Sequence, residues 1–495
     1  GARGTYVMSG SSPAASSGGS ESAGWEIHER IGPELWCVTR EDLRCLRHEV
    51  ETAIQKGEIR PDPKWDPFDI KDREIGPSIY TITKQFIKPI TAKAGNMSWA
   101  LMKNRDGCTC DVFVTHAWQE GIFEFIDKVL SSWPHERYRG AYCCMLSNPQ
   151  NLDISDLIKG PKDSPFAKAL WRSQCMLVVP NRKTSIYSRL WCAYEAFLAC
   201  RWGKDIYTAA SPVRRAVLQA LKLLVAFFIP GAMAGIVVQM SVFQHEWTQH
   251  NSSAFIKKRA YLFVMCVIPI LCGSILQSLD CPRLTVLNNR CSAFIFGLVL
   301  VPFIGETFQV GMNPLLNKDK LSNRLFLMVA VFVFCVLAEV DRVLSVAHDI
   351  ERSQLRHGFE TRTIRDAKCS HDYDKDNIWN EIGDEAKRVD DTLDLVISAG
   401  MSTPSLRKAA SHGVKVNDAG YINYSGLLAT WVVWMQFARS PWIHDWGEGV
   451  IRPDAYMIVS GIWWLTPVLW VAVWLVLPID CKAFAAKVAI KSIMV

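Results

Sequence analysis

Cys110-Asp111-Val112-Phe113-Val114-Thr115-His116-Ala117-Trp118 and, about 70 residues on, Ser185-Ile186-Tyr187-Ser188-Arg189-Leu190-Trp191-Cys192-Ala193-Tyr194-Glu195 are the two stretches on which the fold turns. The first reads as a buried strand that runs into a polar loop. The second reads as a helix start with a glutamate in its first turns. Between them, Ile122, Phe123, Phe125, Ile126, Val129 and Leu130 make an amphipathic helix, and Ala141–Leu146 a second strand. Phe166, Ala167, Leu170 and Trp171 suit another helix, and Cys175–Val179 a third strand that Pro180 ends. Short apolar strands alternating with helices predict a parallel sheet covered on both faces.

Upstream, residues 1–24 are rich in Ser, Gly and Ala, lack the apolar core of a secretory signal, and are expected to be a disordered tail. Residues 25–108 form a partly helical extension. There Thr39-Arg40-Glu41-Asp42 reads as a capping box, with Leu43, Leu46, Val50 and Ile54 at helical spacing and Gly57 as the stop. The α/β unit itself is expected over 109–210.

Downstream the grammar changes again. Leu223–Gln244 and Ala260–Leu279 are uncharged runs of membrane length, and Cys291–Gly311 is broken only by Glu306. Leu325–Leu344 carries Glu339, Asp341 and Arg342 near its end. These make four expected spans over 216–344. A polar, partly helical insert follows over 345–420, with Ile378, Ile382, Ala386, Val389 and Leu393 at helical spacing. One or two further spans follow over 421–480, in Tyr421–Ala438 and the four-Trp run Ala455–Ile479, and a short basic tail closes the chain over 481–495. Cysteines are absent from the loops expected outside and frequent inside, which orients both termini toward the cytosol. Lys and Arg are distributed too evenly to decide orientation alone.

Composition agrees with a mixed chain: 49% hydrophobic residues, 21% charged and 19 Trp. The net charge of +6 is spread out, which gives no case for nucleic acid. Sixteen Cys occur without a Cys-x-x-Cys pair, so no metal site is expected. Glu306 is a functional candidate because an ionisable group in lipid is costly, with an interfacial position as the plainer reading. Glu339 and Arg342, three apart, are expected to pair on one helix face.

The stretch from Cys110 to about Tyr207 resembles a Toll/interleukin receptor (TIR) domain. Asp111–His116 is similar to its first strand and following loop, and Trp191-Cys192-Ala193-Tyr194-Glu195 to the Trp-Cys-x-x-Glu signature that opens a later helix. The long loop Ser147–Ser164 and Thr115-His116, where the family commonly has Ser/Tyr, depart from its pattern. The resemblance implies a TIR/flavodoxin-like α/β fold and a signalling or scaffold role by association with itself or with other TIR-domain proteins. It also implies an alternative, cleavage of NAD as a substrate. In that case Glu195 is the catalytic carboxylate, steadying the oxocarbenium character that develops as nicotinamide leaves. His116, Trp118 and Trp191 are then the candidate ligand contacts. Beside these stand plainer roles: a surface carboxylate for Glu195, core packing for Trp191 and Cys192, a loop histidine for His116. The third reading is a channel or transporter regulated by the soluble domain.

Overall fold

The computed structural model describes residues 21–246, 272, 282–311 and 318–428, apart from 159, 370, 371 and 418. The chain divides into two compact units. One comprises residues up to Ala209 together with Gln354–Leu393, and the other Ala210–Ser353 with the residues from Asp394 onward.

In the first unit five strands form a mixed sheet: β1 (Val38–Thr39), β2 (Cys110–Thr115), β3 (Gly140–Cys143), β4 (Cys175–Val178) and β5 (Asp205–Thr208). Their order is β1-β3-β2-β4-β5, parallel throughout except that β1 runs antiparallel to β3. The first unit therefore has the α/β class expected from the sequence, with a mixed sheet in place of the expected all-parallel one. The antiparallel β1 is an addition from the extension that apolar patterning does not reveal, since two residues carry no period. The strand expected over Ala141–Leu146 ends earlier, at Cys143. There Ser147 Oγ accepts from the Cys143 N–H at 3.0 Å and the chain turns into a short helix, Cys144–Ser147.

The period-two alternation of strands sorts the core. Val112, Val114, Ala141, Cys143, Cys175 and Leu177 face one side, where they pack with α1 (Arg40–Gln55) and α2 (Ile122–Ser131). Phe113 and Tyr142 face the other and stack at 5.4 Å. That side is covered by α3 (Pro165–Arg172) and α4 (Leu190–Arg201). Thr39 closes its capping box on Asp42, and α1 stops before Gly57 at φ +73°, where only glycine is unstrained. Pro165 at the first turn and the Ser164 cap start α3.

Gln354–Leu393, part of the insert expected over 345–420, belongs to the same compact unit as the sheet. Its apolar positions explain why. Ile378, Ile382, Val389 and Leu393 are all buried, and the helix Asp372–Ile382 packs on α4. Tyr194 Oη donates to Glu381 at 2.8 Å, and Thr392 Oγ1 to Cys200 Sγ at 3.3 Å.

The second unit is helical where it is described, with long helices Arg214–Glu246, Pro282–Gly311 and Lys318–Arg356, the last ending in the first unit. Among the described residues two helices, Arg214–Met240 and Arg283–Val301, are long and apolar enough to cross a membrane. The expected span over 260–279 lies almost wholly outside the described residues, as do the spans over 421–480 beyond residue 428 and the tail 481–495. The first two long helices meet through glycines. A Cβ on Gly231 would collide with the Phe294 carbonyl oxygen, one on Gly297 with that of Phe228, and one on Gly235 would lie 2.6 Å from that of Leu298. Backbone cannot yield as a side-chain tip does, so Gly231→Ala and Gly297→Ala should each part the helices. Overpacking of this kind costs about 1–3 kcal/mol. Thermal unfolding of the full-length protein in detergent should show a lower midpoint for each; an unchanged midpoint in both contradicts the close approach.

Candidate functional site

A parallel order in which β2 sits between β3 and β4 places a topological switch point at the C-terminal ends of β2 and β4, where open α/β sheets present their ligand crevice. Thr115 ends β2 there, and His116 follows it. Glu195 arrives from the first turns of α4, and Thr115 Oγ1 donates to its Oε2 at 2.5 Å. The carboxyl is 8% exposed, and burial pushes it up to about 7, against the pull of the Thr115 hydrogen bond and the Arg189 guanidinium.

His116 is buried and sits between two partners. Its Nε2 lies 3.1 Å from Cys144 Sγ at the end of β3, and its Nδ1 lies 3.3 Å from Glu120 Oε1. Burial, helped by Arg189, lowers the imidazole to about 3, and burial raises the Glu120 carboxyl well above the usual carboxylate range. The imidazole is therefore neutral near pH 7. The His116 carbonyl accepts from Arg189 Nη1 at 3.4 Å and faces Cys192 Sγ at 3.8 Å, which ties the β2 loop to the start of α4. Tyr187 Oη is buried close by without a hydrogen-bond partner.

The loop after β2 is clamped from the extension. Ile79 N–H donates to the Glu120 carbonyl at 3.0 Å, Tyr80 N–H to that of Trp118 at 3.3 Å, and Ile122 N–H to that of Pro77 at 2.8 Å. The start of α4 is held by the returning segment: Leu190 N–H donates to the Lys368 carbonyl at 2.9 Å and Lys368 N–H to that of Ser188 at 2.7 Å. Phe359 lies 6.0 Å from the Tyr187 ring.

The sequence candidates thus separate. Glu195 and His116 come together. Trp118 is half-buried and leans on Tyr80 at 5.4 Å. Trp191, one turn before Glu195, is engaged elsewhere: its Nε1 donates to Asp374 at 3.3 Å and its ring meets Phe166 at 5.5 Å. In the second unit Arg342 Nη2 pairs with Glu339 at 2.6 Å, as its spacing suggests, and Asn289 Nδ2 donates to the same carboxylate at 2.9 Å. Glu306 falls within the helix Pro282–Gly311. Four site residues are not evident as such in the sequence: Glu120, Cys144, Tyr187 and Arg189. The one signal for Glu120 is its place four residues after His116, just past a strand end. Cys144 had none, because a cysteine beside an apolar strand reads as a small hydrophobe. Among the described residues no group of three or more His, Cys, Asp or Glu side chains is arranged to hold a metal ion.

Comparison of the chain with protein-family models, with curated proteins and with solved structures gives no match.

Proposed function

We propose that this chain is a multi-pass integral membrane protein whose first unit is a TIR-like domain, and that it works in signalling or scaffolding by self-association or by recruiting a similar domain. The parallel order β3-β2-β4-β5, with the Trp191–Glu195 helix entering directly after β4, supports the TIR/flavodoxin-like reading. The membrane reading rests on the helix Arg214–Glu246. There Val225, Ile229, Met233, Val237 and Met240 are 51–68% exposed, a side that lipid accommodates and water does not. Both termini then face the cytosol.

One observation carries the choice of assembly over NAD cleavage. Glu195, with His116 and Glu120, is under a tenth exposed, whereas Trp65, Tyr80 and Trp171 stand 55–62% exposed on the surface. Exposed aromatics are what association surfaces use as anchors. Energy transfer between two differently labelled copies of the full-length protein in lipid nanodiscs tests this. Self-association should weaken about tenfold or more when an anchor is replaced by Asp, as loss of a hot spot does. Equal transfer in W65D, Y80D and W171D overturns the surface reading.

A second reading, cleavage of NAD, is favoured by Glu195 itself, a carboxyl at the strand ends whose pKa near 7 lets it titrate in the working range. The full-length protein would release nicotinamide from NAD, and Glu195→Ala would abolish that release with the fold intact.

A further inference from the structure

Cys144, His116 and Glu120 stand in the order nucleophile, base, orienter. Cys144 Sγ is 3.1 Å from His116 Nε2, and His116 Nδ1 is 3.3 Å from Glu120 Oε1. The three come from the C-terminal ends of two adjacent parallel strands, β2 and β3. Nδ1 faces the Glu120 carboxyl at 3.3 Å, and Nδ1 and both Glu120 oxygens are buried without a hydrogen bond in this structure. The Glu120 oxygen is the acceptor within reach, so the tautomer with hydrogen on Nδ1 is favoured, which leaves the Nε2 lone pair toward the thiol. His116 and Glu120 are buried, but Cys144 keeps part of its surface. After burial, the Glu195 carboxyl acts most on Sγ, disfavouring its thiolate, and the Arg189 guanidinium acts in the opposite sense.

We propose that Cys144 is a nucleophile for acyl transfer, with His116 as its base and Glu120 as the residue that positions the imidazole, and that the ligand class is a small acyl donor with a good leaving group, a thioester or an activated ester. Sγ attacks the acyl carbonyl carbon while the thiol proton passes to Nε2. The new S–C bond forms a tetrahedral oxyanion, and the Arg189 guanidinium supplies the charge that steadies it. Collapse breaks the bond from carbon to the leaving group, which takes the proton back from Nε2. Water then attacks the Cys144 thioester through the same imidazole, releasing a carboxylic acid and restoring the thiol. No electrons are exchanged with any outside group. Burial raises the thiol and lowers the imidazole, so the resting pair is neutral, no thiolate is held in reserve, and the thiol proton moves to Nε2 only as the S–C bond forms.

The test uses full-length protein in detergent micelles, p-nitrophenyl acetate as the acyl donor, and mass spectrometry of each cysteine after short times. Cys108 is the internal control: a half-exposed thiol, itself raised to about 11, whose Sγ faces the Thr109 carbonyl oxygen at 3.9 Å. Cys144 should be acetylated at least about tenfold faster than Cys108, and His116→Gln should remove an advantage of about a hundredfold or less, the lower end of general-base effects. Glu120→Leu should slow acetylation, and Glu120→Gln should restore it, because the amide oxygen still accepts from Nδ1–H. Acetylation of Cys144 no faster than Cys108 in the unaltered protein overturns the proposal, whether or not the variants fold. So does an equal rate in folded H116Q.

Discussion

Lys128→Ala should destabilise the first unit by about 3–5 kcal/mol, the cost of removing one partner from a buried ion pair. Lys128 is fully buried on α2, a position that its charge would assign to solvent. Its Nζ donates to the Pro180 carbonyl at 2.6 Å and to Gln354 Oε1 at 2.8 Å, and it pairs with Glu124 Oε1 at 3.1 Å. One ammonium thus joins α2, the loop after β4 and the returning segment. Alanine leaves a carbonyl and an amide oxygen short of a donor, and leaves the carboxylate to the largely exposed Arg182, 3.3 Å away. The double change Lys128→Met with Glu124→Leu should recover much of the loss, since replacing both members of a buried pair by apolar groups is often neutral. Urea titration of the full-length protein in mild detergent, read by hydrogen exchange of the β2 and β4 amides, measures both. A loss in Lys128→Ala below about 1 kcal/mol, the value of a surface pair, contradicts the account.

Glu195→Gln should change how stability depends on pH. The native carboxyl titrates near 7, whereas an unfolded glutamate titrates near 4.5. Between those values the unfolded chain has lost its proton and the folded chain keeps it, so wild-type stability falls as pH rises from about 4.5 to 7 and then levels off. The full span corresponds to about 3 kcal/mol. Glutamine is neutral throughout and still accepts from Thr115 through its amide oxygen. The stability difference between the two proteins should therefore move by about 3 kcal/mol in favour of the variant across that window. Parallel stability curves for the two proteins from pH 4.5 to 8 would mean that Glu195 ionises freely. The same titration bears on chemistry: if NAD cleavage needs the carboxylate, activity rises with pH through 7.

Much of the first unit was legible because its signals are local. Val112–Val114 and Cys175–Val178 are continuous apolar runs with no helical alternative of useful length, and Thr39 with Asp42 announces a cap through its own side-chain chemistry. Glu195 was legible as a candidate only through the resemblance of Trp191–Glu195 to the TIR Trp-Cys-x-x-Glu signature, and His116 through its place at a strand's C-terminal end. Cys144 and Glu120 were not, since their meaning lies in a 3 Å relation to His116 that no spacing encodes. Trp191 shows the converse. Its spacing from Glu195 places both on one helix face, yet its indole is engaged by Asp374 and Phe166.

By itself the amino-acid sequence determined the alternation of strands and helices, the caps of α1 and α3 and the apolar character of the long helices, because period, propensity and capping act over a few residues. Only the tertiary structure decided that β1 joins the sheet edge, that residues 354–393 return to pack on α4, that a lysine is buried at the meeting of three segments, and that a thiol, an imidazole and a carboxyl share one crevice. Those are contacts between residues far apart in the chain. They form because apolar faces such as that of Ile378, Ile382 and Val389 must find cover somewhere, and local pattern names the face but not its partner.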